Sequence, residues 1–354
     1  MSGTSGTPKG VRLGQRGLLH MALVTALESE VVPTDRVLLT VPLYHIGAKC
    51  TQLAYHLRGC QVMLHRAFDP RAVLRTIEQE QITATLLAPT MLHAVLDLPD
   101  FGRFDHSSLR TIFYSAAPMP VDLLRRAIET FGPIFMQLYG MTECGAIGTG
   151  LHKHPHVLDG SPAQVRRLAS AGQAHATCEI RVVHDDDTDC AVGEPGEALI
   201  RNPSLMQGYW NNPAATEEAL RGGWMHTGDV GVLDAEEFLF IVDRKKDMLV
   251  SGGENIYPRE VEAALERHPA VAEAAVIGVP DNYWGEAVKA FVVLRPGASA
   301  TEAELIEHTR GLIASYKKPR SVEFVMELPR LPNGKVRKPE LRARFWQDRE
   351  RAVT

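Results

Sequence analysis

The distribution of apolar positions along the chain changes character twice. "RVLLTV" at 36–41, "QVMLH" at 61–65, "TATLLAP" at 83–89, "LRTIFYS" at 109–115 and "IFMQLYG" at 134–140 are short apolar runs of the kind that buried strands show. Between them lie amphipathic stretches. "DPRAVLRTIEQEQ" at 69–81 predicts a helix capped by Asp69, with Pro70 at its first position and Val73, Leu74 and Ile77 on one face. A second helix is predicted over 121–130. Strand and helix in alternation predict a parallel sheet with covering helices. From about residue 171 the runs "CEIRVV", "GEALIR" and "FLFIVD" are separated by turn residues, which predicts a small β-barrel-like subdomain. After residue 243 the pattern becomes helix (258–269), strand (271–280), strand (286–294) and helix (301–313, opened by Thr301), a compact α+β module. The fold class expected is α/β, with an α/β subdomain at 1–170, a β subdomain at 171–243 and a mobile α+β lid domain at 244–354.

Composition narrows the function classes little. A net charge of -5 gives no reason to expect a nucleic-acid partner. No apolar run approaches the roughly 18 residues of a membrane span, and the N-terminus lacks the basic segment and apolar core of a secretory signal. The five cysteines form no C-x-x-C pair, which argues against a cysteine zinc site and a disulfide framework, so a reduced cytoplasmic protein is expected. "HKHPH" at 152–156 has no Cys or carboxylate at suggestive spacing and reads as a solvated loop rather than a metal tract.

The first ten residues, "MSGTSGTPKG", have the composition of a loop that wraps phosphates with amides and hydroxyls, though a flexible tail has it too. A Walker loop is excluded, because Lys9 is followed by Gly10 rather than Ser or Thr. Four further stretches bear on this. "YGMTEC" at 139–144 falls where a parallel strand ends, and ligands of α/β sheets bind outside the carboxyl ends of strands. "GWMHTGDVG" at 223–231 puts Asp229 on an expected turn, "DRKKDMLVSGGENIYPREVE" spans 243–262, and "LPNGKVRK" at 331–338 carries Lys335 on another turn.

These five stretches, in this order, resemble the AMP-forming adenylating enzymes: acyl-CoA synthetases, luciferases and peptide-synthetase adenylation domains. The linker at 243–262 looks most like fatty-acyl and related carboxylate–CoA ligases. The resemblance covers nearly the whole chain. It implies that a carboxylic acid is joined to AMP with release of pyrophosphate and then passed to coenzyme A, with ATP and Mg²⁺ required. A medium- or long-chain fatty acid is the first expectation and an aryl acid the second. Carried over residue by residue, it implies that Thr4, Ser5, Gly6, Thr7 and Lys9 grip phosphates, that Thr142 contacts phosphate, and that Glu143 holds the metal. Ser115, Ala116, Ala117 and Pro118 would lie along adenine with Tyr139, Gly140 and Met141. Asp229 and Arg244 would fix the ribose with Asn255 near the nucleotide, and Lys335 would be the adenylation lysine. His45, Gly140 and Ala146 would border the acyl pocket, Gly252, Gly253 and Glu254 would form the CoA face, and Lys246 would be the hinge.

Each assignment has a plain structural alternative. Taken singly, Glu143 could be a surface acid, Lys335 a solvated tail lysine, and Tyr139 and Met141 core packing. Cys144 reads as a small filler. Two departures from the family pattern stand out. Glu237 in "DAEEFLF" occupies a usual glycine position, so a turn with φ > 0 there would be strained. Family members also carry a sizeable subdomain before the phosphate loop, which here starts near Met1. A truncated member, a mis-assigned start and one half of a split protein whose upstream half is another chain all fit. Two other functional readings remain open: a weakly active fragment that binds nucleotide or a partner, and an adenylation domain loading a carrier protein. No "GGxS"-like carrier segment follows Thr354 and the sequence ends soon after Lys335, so the stand-alone ligase is the expectation.

Overall fold

The computed structural model describes residues 9–115, 117, 119–330 and 336–346. The chain divides into two compact units, one of residues 1–227 and 231–241, the other of 228–230 and 242–354.

The first unit opens with β1 (Val11–Arg12) and α1 (Gln15–Glu28). Strand and helix then alternate: β2 (Arg36–Leu39), α2 (Ile46–Leu57), β3 (Gln61–Leu64), α3 (Pro70–Glu80), β4 (Ala84–Leu86), α4 (Pro89–Leu96), β5 (Thr111–Tyr114), α5 (Val121–Phe131) and β6 (Phe135–Tyr139). β7 (Thr149–Leu151), α6 (Pro162–Arg166) and β8 (Gln173–Ala174) follow. The seven strands β2 to β8 form one sheet in the order β3-β2-β4-β5-β6-β7-β8. The pairs from β3 to β6 are parallel, as the alternation predicts, and β7 and β8 add to one edge antiparallel. Local chemistry sets the helix starts. The Asp69 carboxylate accepts the Ala72 N–H at 2.6 Å, and Val73, Leu74 and Ile77 of α3 are buried beneath the sheet's Leu38 and Ile112. On α1 the residues Leu19, Leu23 and Leu27 form an i, i+4 stripe that stays exposed.

β9 (Glu179–Val183), β10 (Gly196–Arg201), β11 (Gly208–Tyr209), α7 (Pro213–Ala219), β12 (Met225–Leu233) and β13 (Leu239–Arg244) complete the β-rich stretch. Four of these strands make a sheet in the order β13-β12-β10-β9, while β11 pairs with β1. The turn between β12 and β13 places Glu237 at φ 64°, the left-handed conformation expected from its family position.

The second unit contains β14 (Leu249–Ser251), β15 (Glu254–Ile256), α8 (Pro258–Glu266), β16 (Val271–Asp281), β17 (Gly285–Leu294), α9 (Glu302–Arg310), β18 (Ser321–Phe324) and α10 (Lys338–Ala343). Its sheet runs β15-β14-β17-β16, with β18 parallel to β17. Leu249, Ile256, Val261, Leu265, Val276 and Leu305 build its own core. Thr301 and Glu304 form a reciprocal capping box at the start of α9.

Two local expectations are corrected. "HKHPH" is not a solvated loop: His156 is 3% exposed, its Nδ1–H donates to the His152 carbonyl at 2.6 Å, and its Nε2 accepts the Tyr114 hydroxyl at 3.0 Å. Asp229 is not on a turn: it lies inside β12, buried, because the strand continues through Gly228 at φ 68°. No helix among the described residues is long and apolar enough to cross a membrane.

Candidate active site

β5 and β6 are neighbours, and the chain leaves both at their carboxyl ends with candidate residues. Ser115 follows β5, and Gly47, near the start of α2, faces it: a Cβ on Gly47 would lie 3.8 Å from the Ser115 hydroxyl. His45 caps α2 with its ring 4.6 Å from that of Tyr44. Ala117 is exposed. After β6 the chain turns sharply through Gly140 into a single 3₁₀ turn at Thr142–Cys144. A Cβ on Gly140 would stand 2.8 Å from both the carbonyl carbon and oxygen of Ala146, so this close approach needs glycine. Ala146 itself sits at φ 62°. Gly140 and Ala146, both expected at the acyl pocket, are thus in direct contact.

Glu143 is buried at 6% exposure. Its Oε1 accepts the Tyr209 hydroxyl at 2.9 Å, while Oε2 has no hydrogen-bond partner. A buried carboxylate with one unpaired oxygen is costly unless a cation reaches it. The same Tyr209 ring carries the Lys9 ammonium 4.9 Å from its centroid. The geometry comes from β1 and β11, which pair Val11 with Tyr209, while the Gly10 carbonyl accepts the Trp210 N–H at 2.7 Å. Lys9, Tyr209 and Glu143 therefore form a row in which cation and carboxylate flank one phenol. Burial, then the Glu143 charge, push the Tyr209 phenol above its ordinary pKa, which keeps it a donor. Cys144 is fully buried and its thiol is pushed up to about 12 by burial, so it is the filler expected. Tyr139 and Met141 are partly buried against the same cluster as Cys144, Tyr209 and Met225.

Sequence reasoning missed the segment that supports this turn. Asn202 Nδ2 donates to the carbonyls of Cys144 and Ile147 at 3.1 and 2.9 Å, and the Met206 N–H donates to the Glu143 carbonyl at 2.7 Å. Gly145 packs on Ser204, where a Cβ would meet the serine Cβ at 2.7 Å. The only signal was a polar "RNPS" directly after a strand, which reads as any turn.

In the second unit Arg244 Nε lies 3.2 Å from Asp229 Oδ1, so the two residues expected at ribose are adjacent. Lys246 is the middle residue of a 3₁₀ turn at Lys245–Asp247, and burial holds its ammonium down to about 8. Gly252 and Gly253, at φ 63° and 84°, make the turn from β14 to β15, with Glu254 and Asn255 exposed beside them. The Gly252 N–H donates to the Trp284 carbonyl at 2.8 Å, and the indole fills the space a side chain on Gly252 would need. Thr4, Ser5, Gly6, Thr7, Ala116, Pro118 and Lys335 lie outside the described residues.

The profile of the AMP-binding enzyme family matches residues 2–210, and that of the AMP-binding enzyme C-terminal domain matches 260–335. The chain belongs to the AMP-binding enzyme family. Among relatives of this AMP-forming adenylating superfamily, a feruloyl-CoA synthase from Amycolatopsis sp is 41% identical over 97% of this chain and 68% of its own length. A medium/long-chain-fatty-acid–CoA ligase from Mycobacterium tuberculosis is 40% identical over 99% of this chain and 61% of its own. Among solved AMP-forming enzymes, an amide bond synthetase from Marinactinospora thermotolerans superposes with a TM-score of 0.89 at 35% identity, covering 96% of this chain and 68% of that one. The o-succinylbenzoate coenzyme A synthetase of Bacillus subtilis, in complex with ATP and magnesium ion, gives 0.85 at 34% identity, covering 96% and 68%. Roughly a third of each relative's length has no counterpart in this sequence.

Proposed function

We propose that this chain carries the chemistry of an ATP-dependent acid–CoA ligase acting on a medium- or long-chain fatty acid. A substrate carboxylate oxygen attacks the α-phosphorus of ATP, the bond to the β-phosphate oxygen breaks, and pyrophosphate leaves. The thiol sulfur of coenzyme A then attacks the acyl carbon, loses its proton, and AMP leaves. The observation that carries this reading is the buried Glu143 carboxylate with Oε2 unpartnered, held by Tyr209 in line with Lys9. Glu143 would hold Mg²⁺, which supplies charge neutralisation at the phosphate oxygens. Lys9 would add charge on the same phosphates, with Thr4, Ser5, Gly6 and Thr7 completing the loop. Thr142 would donate its hydroxyl to phosphate. Ser115 to Pro118 and the Tyr139–Met141 turn would line adenine, with Asn255 nearby. Asp229 would accept from the ribose hydroxyls, with Arg244 fixing its carboxylate. Lys335 would stabilise charge as the carboxylate attacks. His45, Gly140 and Ala146 would shape the acyl side, Gly252, Gly253 and Glu254 the thiol side, and Lys246 the hinge between the two half-reactions.

An aryl acid is the second substrate reading, favoured by the 41% identity to feruloyl-CoA synthases. The acceptor also needs testing, because the relatives include a fatty acid–acyl-carrier-protein ligase and an amide bond synthetase. Protein with ATP and Mg²⁺ is offered fatty or aryl acids, alone and with CoA, a carrier protein bearing its thiol arm, or a simple amine. Acid-dependent pyrophosphate release, followed by thioester only when CoA is present, is expected. Lys335→Ala should lower acyl-adenylate formation by roughly 10²–10³ and spare thioester formation from supplied acyl-adenylate. Equal loss in both half-reactions, or no acid-dependent pyrophosphate, would overturn the reading.

A further inference from the structure

The C-terminus of α1 meets the antiparallel pair β7 and β8 in a cluster that the ligase chemistry does not use. Glu28, the last residue of α1, places Oε2 3.0 Å from His152 Nε2 and 3.7 Å from His175 Nδ1. The two imidazoles come from the residues directly after β7 and β8, with ring centroids 6.1 Å apart and planes nearly perpendicular. His175 reaches the cluster by crossing Gly150, where a Cβ would stand 2.4 Å from its Cε1. Only glycine leaves room for that ring. The Glu28 carboxylate is further fixed by the Ala176 N–H, which donates to Oε1 at 2.6 Å.

Tetrahedral zinc with ligands at about 2.0–2.1 Å has ligand–ligand edges of roughly 3.3 Å. The two carboxylate–imidazole separations bracket that edge. All three ligand atoms lie within 4.8 Å of one another. An independent observation points the same way: His175 is 3% exposed, yet its Nδ1, turned toward Glu28, has no hydrogen-bond partner. Leaving a buried ring nitrogen unpaired costs free energy that a bound cation would recover. Two imidazoles and one carboxylate suit a borderline cation and not Mg²⁺, which prefers oxygen ligands.

We propose that Glu28, His152 and His175 form a metal site that takes a divalent cation of the zinc class, with solvent at the fourth position. The site clamps the end of α1 to the β7–β8 edge of the large sheet. The cysteines supply no such site by motif, and neither does "HKHPH" read alone, because the carboxylate arrives from a helix far upstream. A second cluster, His184, Cys190 and Glu194, makes a useful control. It is more open, with His184 and Glu194 exposed, and its histidine has Nδ1 3.5 Å from the thiol sulfur and Nε2 3.6 Å from the carboxylate.

The test is a Co²⁺ titration of the metal-stripped full chain, followed in the visible. Intense tetrahedral d–d bands saturating at one equivalent, bleached by Zn²⁺ and untouched by excess Mg²⁺, are expected. His152→Gln, at a half-buried position, and His175→Gln should each weaken Co²⁺ binding by at least tenfold, since even second-shell partners of a metal ligand are worth about 10- to 100-fold. Glu28→Gln keeps the shape and an acceptor for Ala176 and should weaken it comparably, while His184→Gln should leave the bands intact. Zn²⁺ should raise the melting temperature of the parent chain and not of His152→Gln. Only weak octahedral absorbance, or bands that survive His152→Gln and vanish with His184→Gln, would overturn the proposal. Bands lost in His152→Gln or Glu28→Gln and kept in His184→Gln decide the location even where His175→Gln folds poorly.

Discussion

Tyr209→Phe isolates a hydrogen bond that ties the β1–β11 ladder to the buried Glu143 carboxylate. The substitution removes a single oxygen, so ring packing and the Lys9 contact persist. What is lost is a 2.9 Å bond from the phenol to a carboxylate oxygen. Tyr209 and Glu143 are 8% and 6% exposed, so water cannot readily replace it. A hydrogen bond to a charged partner contributes about 1.5–3 kcal/mol, and a donor lost from a buried carboxylate lies toward the upper half of that range. Because Oε2 is already unpartnered, the variant leaves Glu143 with no donor from Tyr209 on either oxygen. The loss of stability should therefore be about 2 kcal/mol, read from urea unfolding. The double cycle with Glu143→Gln is the sharper measurement. Once the carboxylate charge is gone the phenol should matter less, giving a coupling of about 1 kcal/mol or more. If Tyr209 also orients the carboxylate toward a cation, Mg²⁺–ATP affinity should fall in Tyr209→Phe, with 1.4 kcal/mol reading as tenfold. Additive single effects, or a Tyr209→Phe loss under about 0.5 kcal/mol, would refute the reasoning.

Glu237→Gly should stabilise the β12–β13 turn by about 0.5–1 kcal/mol, because φ 64° is strained for glutamate and open to glycine, and a higher melting temperature checks it. Gly140→Ala should cost about 1–3 kcal/mol and weaken nucleotide binding, since its Cβ would meet the Ala146 backbone at 2.8 Å; a circular-dichroism melt unchanged from the parent would count against it. Burial holds His156 down to about 4 when folded, against 6.5 for its unperturbed value. The unfolded chain thus binds the extra proton first as pH falls, so His156 contributes a stability loss of about 2 kcal/mol between pH 7.5 and 5, which a His156→Gln variant should lack in parallel urea titrations. Lys246→Pro fixes φ near −65° in the 245–247 turn and should retain one half-reaction while slowing the other; wild-type rates in both would remove Lys246 as the hinge.

Local rules were enough wherever a residue's partner lies within a turn of helix or its burial follows from an apolar run. Asp69 caps α3, Thr301 opens α9, and the strands β2 to β6 fall where unbroken apolar residues sit, because these depend on neighbours in sequence. The left-handed Glu237 was legible too, though only through the resemblance, which puts glycine at that position. The motif residues could be named from their order along the chain. Tertiary structure alone decided who supports them. β7 and β8, with three and two residues, carry no periodicity to read, yet they set the sheet edge that holds His152 and His175. Asp229 looked like a turn residue between two glycines, but pairing with neighbouring strands carries β12 straight through it. Tyr209 reaches Glu143 and Asn202 reaches the carbonyls of 144 and 147 across more than fifty residues of sequence. Such contacts are selected by the free energy of satisfying buried polar groups in three dimensions, and no local pattern encodes the distance over which the partner will come.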